Sequence, residues 1–155
     1  MLLDAKGNIE DSQMSILRGH FAVMLIVAVP DSVDREELAR RLGPVRDRLE
    51  LETLAIDQVD EMDPARPQAS HVITVYGSDH PGIVHAVSAA LAELGVNITD
   101  LQTRLTGAGE EALYLLLMEV ALGDADPQQV RSALDAVSRD ARVEVGLRAL
   151  DAEAL

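Results

Sequence analysis

Residues Val72–Asp100 read VITVYGSDHPGIVHAVSAALAELGVNITD, and this stretch decides the fold. A short alternating strand leads into a polar turn, Gly77–Gly82, and the turn leads into an apolar helix that ends at Gly95. A second strand begins at Asn97. We take the turn between the first strand and the helix as the candidate functional site.

The rest of the C-terminal half extends this pattern to six elements. Asn97–Leu105 and Leu113–Leu122 are predicted strands, joined by a hairpin turn at Thr106–Glu110. Asp126-Pro127 predicts the start of a second helix, because aspartate caps free amides and proline at the first helical position loses no hydrogen bond. A last strand follows at Val143–Ala149. The order is βαββαβ, which predicts an α+β fold of the ferredoxin-like type.

The N-terminal half repeats this order without its beginning. Asn8–Asp11 (NIED) matches Asn97–Asp100 (NITD), 89 residues later. Phe21–Val29 is predicted to match Leu113–Ala121, 92 residues later. The helix that follows each of these strands has an apolar stripe, and the two stripes are also 92 residues apart: Leu38, Leu42 and Val45 match Val130, Leu134 and Val137. The sequence therefore predicts two βαββαβ units, of which the N-terminal one lacks its first strand and most of its first helix.

A linker separates the two predicted units. Met62–Ser70 reads MDPARPQAS, with two prolines and no apolar periodicity. We therefore predict a truncated unit at 1–61, a linker at 62–70 and a complete unit at 71–151. The first unit ends in an alternating, strand-like stretch before the linker. Its helix contains Gly43-Pro44, where we expect a kink or an early end.

The missing beginning of the N-terminal unit has two interpretations. In the first, the sequence begins too late or is incomplete. In the second, a partner chain covers the open sheet edge, because an unpaired apolar strand edge readily recruits another strand. The second interpretation predicts a dimer.

Composition excludes several classes of partner. The 27 acidic and 13 basic residues give a net charge of −14, which repels phosphate backbones and anionic membranes. Only two tyrosines and one phenylalanine are present, so platforms for stacking bases are nearly absent. The absence of cysteine and of a secretory signal pattern makes the cytoplasm the expected location. We expect no direct nucleic-acid partner and no membrane partner.

The charged and titratable residues do not predict chemistry. Four arginines lie close to four acidic residues on one predicted helix, so an ion-paired, solvated helix face is expected there. The arginines are Arg40, Arg41, Arg46 and Arg48, and the acidic residues are Glu36, Glu37, Asp47 and Glu50. The four histidines lack the spacing of a metal site. Ser78, Asp79 and His80 lack a third group to orient them for acid–base catalysis. We expect no metal, no cofactor, no catalytic residue and no enzyme activity.

The segment Tyr76–Val84 (YGSDHPGIV), followed by Gly95–Ile98 (GVNI), resembles the ACT domain, a βαββαβ module that senses amino acids. The usual D-x-P-G-[IL] turn of that family is complete here. The first half, with Gly7–Ser12 and Met14–Phe21, resembles the N-terminal repeat of tandem ACT proteins related to the glycine cleavage system transcriptional repressor. The resemblance covers nearly the whole chain and implies an amino-acid-binding regulatory protein.

In this family the ligand usually lies where two domains meet. Unpaired amides at the start of the helix favour a carboxylate, and Asp79 could accept from an ammonium group. Asn97 offers both a donor and an acceptor. The alternative is that Asp79 and Ser78 merely cap the helix while Pro81 presets its first turn. The resemblance implies a site made with a matching partner segment by Asp79, His80, Pro81, Gly82, Ile83, Asn97, Ile98 and Thr99.

The N-terminal half keeps Asn8 and Ile9 but has no such turn. We expect a homodimer that binds a small amino acid and acts through a protein partner, either a transcription activator or a metabolic enzyme. Such a partner is needed because the acidic chain has no DNA-reading helix of its own. The alternative is a ligand-free structural or regulatory subunit that assembles through its sheet edges.

Overall fold

The computed structural model describes residues 4–59, 67–107 and 112–150. The chain divides into two compact units, Met1–Met62 and Asp63–Leu155. The boundary falls at the first residue of the predicted linker. Residues 60–66 of the linker region and residues 108–110 of the predicted hairpin turn lie outside the described residues.

The described part of the first unit, residues 4–59, contains two strands and one helix. Strands β1 (Asn8–Leu17) and β2 (His20–Ala28) form an antiparallel, two-stranded sheet, and helix α1 (Arg35–Arg48) follows. Asp34 fixes the start of α1, because its carboxylate accepts from the Glu37 amide at 2.8 Å.

Helix α1 continues through Pro44, so the early end that the sequence predicted there does not occur. The turn after the proline is complete, with the Leu49 amide donating to the Val45 carbonyl at 2.9 Å. A proline removes one helical hydrogen bond but does not prevent the next turn from forming. The helix therefore ends at Arg48, four residues beyond the proline.

Three arginines of α1 pair with acidic residues on the same helix. Arg40 and Arg41 both donate to the Glu37 carboxylate, Arg41 Nε at 2.6 Å from Glu37 Oε1. The hydrogen bond from Arg40, and then that from Arg41, lowers the pKa of Glu37. Arg46 pairs with Asp47 at 2.7 Å. The ion-paired helix face expected from the sequence is confirmed.

The second unit has all six predicted elements. They are β3 (His71–Ser78), α2 (Ile83–Glu93), β4 (Asn97–Thr106), β5 (Leu113–Ala121), α3 (Pro127–Ala141) and β6 (Glu144–Ala149). Asp126 caps α3 by accepting from the Gln128 amide at 3.1 Å, and Pro127 is the first helical residue. The strands form one antiparallel sheet in the order β4-β5-β3-β6. This is the predicted βαββαβ, ferredoxin-like arrangement.

One hydrophobic core lies between the sheet of the second unit and its two helices. Strands β3 and β5 are central, and Ile73, Val75, Leu116, Met118 and Val120 are buried on one face because strand side chains alternate between the two faces. Helices α2 and α3 contact each other over this face. The core residues are Ile73, Val75, Ile83, Val87, Leu91, Val96, Leu116, Met118, Val120, Leu122, Val130, Leu134, Val143 and Leu147.

The prediction of a strand just before the linker is wrong, because residues 51–59 form no strand. The second unit explains why. Its last strand, β6, pairs only with β3, and the described part of the first unit has no counterpart of β3. Backbone groups at 51–59 therefore have no neighbouring strand to pair with.

The repeat is confirmed, but the register of its second strand differs by one residue from the prediction. Strands β1 and β4 both contain ten residues, and both pairings shift at the same place, between Ile9 and Asp11 and between Ile98 and Asp100. Strands β2 and β5 both contain nine residues and begin 93 positions apart, at His20 and Leu113. A one-residue shift moves every side chain to the other face of the sheet.

Candidate functional site

The turn between β3 and α2 leaves the start of α2 open. Gly82 is the N-cap, with φ of +100° and ψ of −8°, and no side chain accepts a hydrogen bond from the first amides of the helix. A positive φ suits glycine because it has no Cβ. The structure therefore does not support the alternative in which Asp79 and Ser78 cap the helix. The unpaired amides carry the partial positive charge of the helix N-terminus.

The residues at this helix start line an open cleft of about 630 Å³. Sites for small molecules in proteins fall in the range of about 300–1,000 Å³. Asp79 lies exposed at this cleft, and no described cation lies within ion-pair distance of its carboxylate. The cleft thus presents helix amides and an exposed carboxylate side by side. Its lining residues are Asp79, His80, Pro81, Gly82, Ile83, Val84, His85 and Tyr114.

His80 is held by the chain itself. Its Nε2 is 2.7 Å from the carbonyl oxygen of Ala141, the last residue of α3, and its Nδ1 is 3.1 Å from the carbonyl oxygen of Pro81. Both ring nitrogens therefore face backbone acceptors. These contacts hold the turn against the end of α3, and His80 also lines the cleft.

Replacing His80 with alanine is expected to lower the free energy of unfolding of the second unit by about 0.5–1.5 kcal/mol, the usual worth of one hydrogen bond. His85→Ala is the matched control, because His85 is exposed in the same cleft. Urea denaturation of both variants, followed by circular dichroism, measures the difference. Equal stability of the two variants would show that the contact with Ala141 does not hold the turn.

The eight residues of the predicted site do not meet within one unit. Ser78 ends β3 beside Leu113, and Leu113 pairs with Thr106 at the far end of β4 from Asn97. A strand of ten residues is about 30 Å long. The turn, with Asp79 to Ile83, therefore lies at one end of the sheet, and Asn97, Ile98 and Thr99 lie toward the other. One unit by itself therefore does not bring the two groups together.

The sequence did not predict three residues of the cleft. Val84 and His85 follow the turn on the first helical turn, so their position was accessible from the motif. Tyr114 lies far along the chain and reaches the cleft because it pairs with Gly77 across β3 and β5. Only the strand register brings it there.

The first unit has a cavity of its own, of about 360 Å³, between α1 and residues 54–57. Its lining includes Arg35 and Arg46, but Arg35 is already paired with Asp57 at 3.3 Å. In the described parts of the chain, no group of three or more His, Cys, Asp or Glu side chains could hold a metal ion. Those parts also contain no helix long and apolar enough to cross a membrane.

Comparisons with known proteins agree with this geometry. The family model of the ACT domain matches residues 71–139. A UPF0237 protein from Methanopyrus kandleri is 38% identical over 77 residues, which are 48% of this chain and 80% of that protein. The second unit is an ACT domain, and the chain belongs to the UPF0237 family.

Two solved structures resemble nearly the whole chain. An unknown protein from Galdieria sulphuraria has a TM-score of 0.73 and 27% sequence identity, over 97% of this chain and 86% of that one. A protein assigned as a glycine cleavage system transcriptional repressor has a TM-score of 0.69 over 97% of this chain and 85% of that one. Its 14% identity supports the shared fold alone. The ACT domain is an amino-acid-binding regulatory module that often forms dimers, although it also occurs within enzymes.

Proposed function

We propose that this protein binds a small amino acid at the turn before α2 and, when it does so, regulates a protein partner. The observation that carries the proposal is the uncapped start of α2, which opens into the cleft beside the exposed carboxylate of Asp79. The unpaired amides suit the carboxylate of an amino acid, and Asp79 suits its ammonium group. The cleft therefore matches both charges of a zwitterion.

The net charge of the chain should make the site select amino acids over simple carboxylates. A protein of charge −14 repels simple anions. A carboxylate is then bound only when an ammonium group in the same molecule offsets the repulsion by pairing with Asp79. We expect an amino acid to bind, whereas its analogue without the amine and its analogue without the carboxylate do not.

We propose further that the site is completed by a second copy of the chain. Asn97, Ile98 and Thr99 would come from the partner copy, because they lie about 23–30 Å along β4 from the end of the sheet that carries the turn of their own unit. The complex would act in the cytoplasm through a transcription activator or a metabolic enzyme. This chain would not contact DNA, since its acidic surface repels the phosphate backbone.

A panel of the twenty amino acids in thermal unfolding tests the proposal. Ligand at ~100 Kd should add about 2.7 kcal/mol to the stability of the second unit. Each amino acid that shifts the midpoint is then compared with its two analogues, one without the amine and one without the carboxylate. If no amino acid raises the midpoint, the proposed function is wrong.

Asp79→Asn should remove the shift, because the change keeps the shape of the side chain and removes its charge. The matched control is Asp135→Asn, an exposed carboxylate on α3 that does not line the cleft. This control should keep the full shift. A shift that survives Asp79→Asn would place the ligand elsewhere.

Mixing two inactive variants tests the contribution of the second copy. Asp79→Asn and Asn97→Ala should each abolish binding alone. In mixed dimers one of the two sites would regain both residues, so about a quarter of the sites should recover if subunits mix at random. No recovery, together with binding by Asn97→Ala alone, would show that one chain forms the whole site.

A further inference from the structure

The sheet of the second unit has one face that the helices of that unit do not cover. Helices α2 and α3 pack on the face that carries Leu116 and Met118. Strand residues between these point the other way, and residues paired across strands share a face. We call this second face the outer face. It carries Leu113, Leu115, Leu117 and Glu119 of β5, Val72, Thr74, Tyr76 and Ser78 of β3, Asp100, Gln102, Arg104 and Thr106 of β4, and Glu144, Gly146 and Arg148 of β6.

The middle of the outer face is apolar. Leu115 and Tyr76 pair with each other across β5 and β3, and they are 38% and 43% exposed. Leu117 and Val72 lie on the same two strands and are partly exposed. A solvated sheet face normally carries polar side chains at such positions. The middle of the outer face is therefore suited to burial.

Four charged residues, which we call the corner residues, surround this apolar area. Asp100 and Arg104 lie on the edge strand β4, and Glu144 and Arg148 lie on the other edge strand, β6. The two charges on each strand are about 13 Å apart, and the two edge strands are about 14 Å apart. Asp100 is in the same row as Arg148, and Arg104 is in the same row as Glu144. Negative and positive charges thus alternate around a near-square.

The corner residues have no ion-pair partner among the described residues of the chain. Glu144 only accepts a hydrogen bond from the Tyr76 hydroxyl. Asp100 lies directly opposite Glu119 across β4 and β5, and like charges in this position destabilise a sheet. A cation that approaches the outer face from outside the unit would relieve this repulsion.

We propose that the outer face binds the outer face of a second copy of the chain. Two sheets stacked with aligned strands can be related by a two-fold axis along the strands or across them. Either rotation exchanges neighbouring corners of the square, so opposite charges meet at all four corners. An axis along the strands sets Asp100 against the partner's Arg148, and an axis across them sets it against the partner's Arg104. The alternating square is therefore complementary to itself.

The sheet of the first unit does not offer this complementarity. Strands β1 and β2 read NIEDSQMSIL and HFAVMLIVA and contain no Lys or Arg. That sheet therefore has no arginine or lysine to pair with Asp100 or Glu144. A second copy of the outer face supplies an arginine for each of these carboxylates.

Two variants with corners of uniform charge test the proposal. Arg104→Glu with Arg148→Glu makes all four corners negative, and Asp100→Lys with Glu144→Lys makes all four positive. Each variant should weaken the face-to-face association at least about tenfold, because like charges then meet at every corner. Sedimentation velocity over a concentration series should show each variant at half the mass of the wild-type assembly. An equimolar mixture of the two should return to the wild-type mass, since opposite charges meet again.

The mixture separates loss of the interface from misfolding, because misfolded variants would not restore each other. The all-positive variant raises the net charge of −14 by four units, so general repulsion does not account for its weaker assembly. An interface at the cleft would double the mass of all variants alike, since no corner residue lines the cleft. Equal masses for the wild type and both variants, or no gain on mixing, would overturn the proposal. In the second case another part of the chain, or a different molecule, covers the outer face.

A variant with all four charges inverted is the matched control. Asp100→Arg, Arg104→Asp, Glu144→Arg and Arg148→Glu together reverse every corner and keep both the alternation and the net charge. Two inverted copies remain complementary to each other, so this variant should reach the wild-type mass. Loss of assembly in the inverted variant would show that the outer face recognises fixed charges on a different partner, and would contradict the proposal.

Discussion

Replacing Leu116 with alanine is expected to destabilise the second unit by about 2–5 kcal/mol, the usual cost of emptying a buried leucine site. Leu116 lies on the central strand β5, has no exposed surface and belongs to the core under α2 and α3. The cavity would lie beneath the helix whose first turn forms the proposed site. Hydrogen exchange of the β3 amides measures the effect, since these amides exchange only when the second unit opens.

Leu115→Ala is the matched control for this prediction. Leu115 is the preceding residue on the same strand, points to the opposite face and is 38% exposed. In dilute protein, its truncation should change stability by no more than about 0.5 kcal/mol. If the two variants were equally unstable, β5 would not be oriented as the structure places it.

Replacing Gly77 with alanine is expected to destabilise the second unit by about 1–3 kcal/mol, the typical cost of overpacking. A Cβ at this position would be 2.9 Å from Cγ1 of Val143 and 3.3 Å from its Cα. The Cα cannot move without moving the backbone between α3 and β6. Gly77 therefore permits the close approach that brings the turn beside the end of α3. Chemical denaturation of the variant measures the loss.

A double substitution tests the cause of this loss. Val143→Ala removes Cγ1, so Gly77→Ala should cost less in that background, and the difference is the coupling energy. The single variant Val143→Ala is the control, because it gives the cost of removing Cγ1 by itself and completes the cycle. A loss at Gly77 that is unchanged by Val143→Ala would argue against the contact.

Much of the second unit could be predicted because its signals are local. Asp126 and Pro127 mark the start of α3 within two residues, and the predicted cap and first helical residue are those observed. The alternation of Val72–Tyr76 predicted β3, and the D-x-P-G turn marked the start of α2. Caps, turns and alternation depend on neighbours a few residues away, so the chain itself displays them.

The candidate site was predictable only in part. The residues of the turn, Asp79 to Ile83, are neighbours in the sequence, and they line one cleft. The sequence alone could not place Asn97 at the other end of the sheet, because that position depends on how β4 pairs with β5. The interaction of His80 with Ala141 is also nonlocal, since it joins the turn after β3 to the last residue of α3. These contacts have no signal in either segment alone.

The sequence by itself determined the six elements of the second unit, the repeat that begins at Asn8 and the turn that carries Asp79, because short-range sterics and hydrogen bonding encode all of them. The tertiary structure decided the register of β2, which moved by one residue from the predicted alignment and so reversed the faces of that strand. It also decided that residues 51–59 form no strand, since strand formation requires a partner backbone. Pairing between distant segments is a property of the assembled sheet, and the cleft and the outer face of the second unit both depend on it.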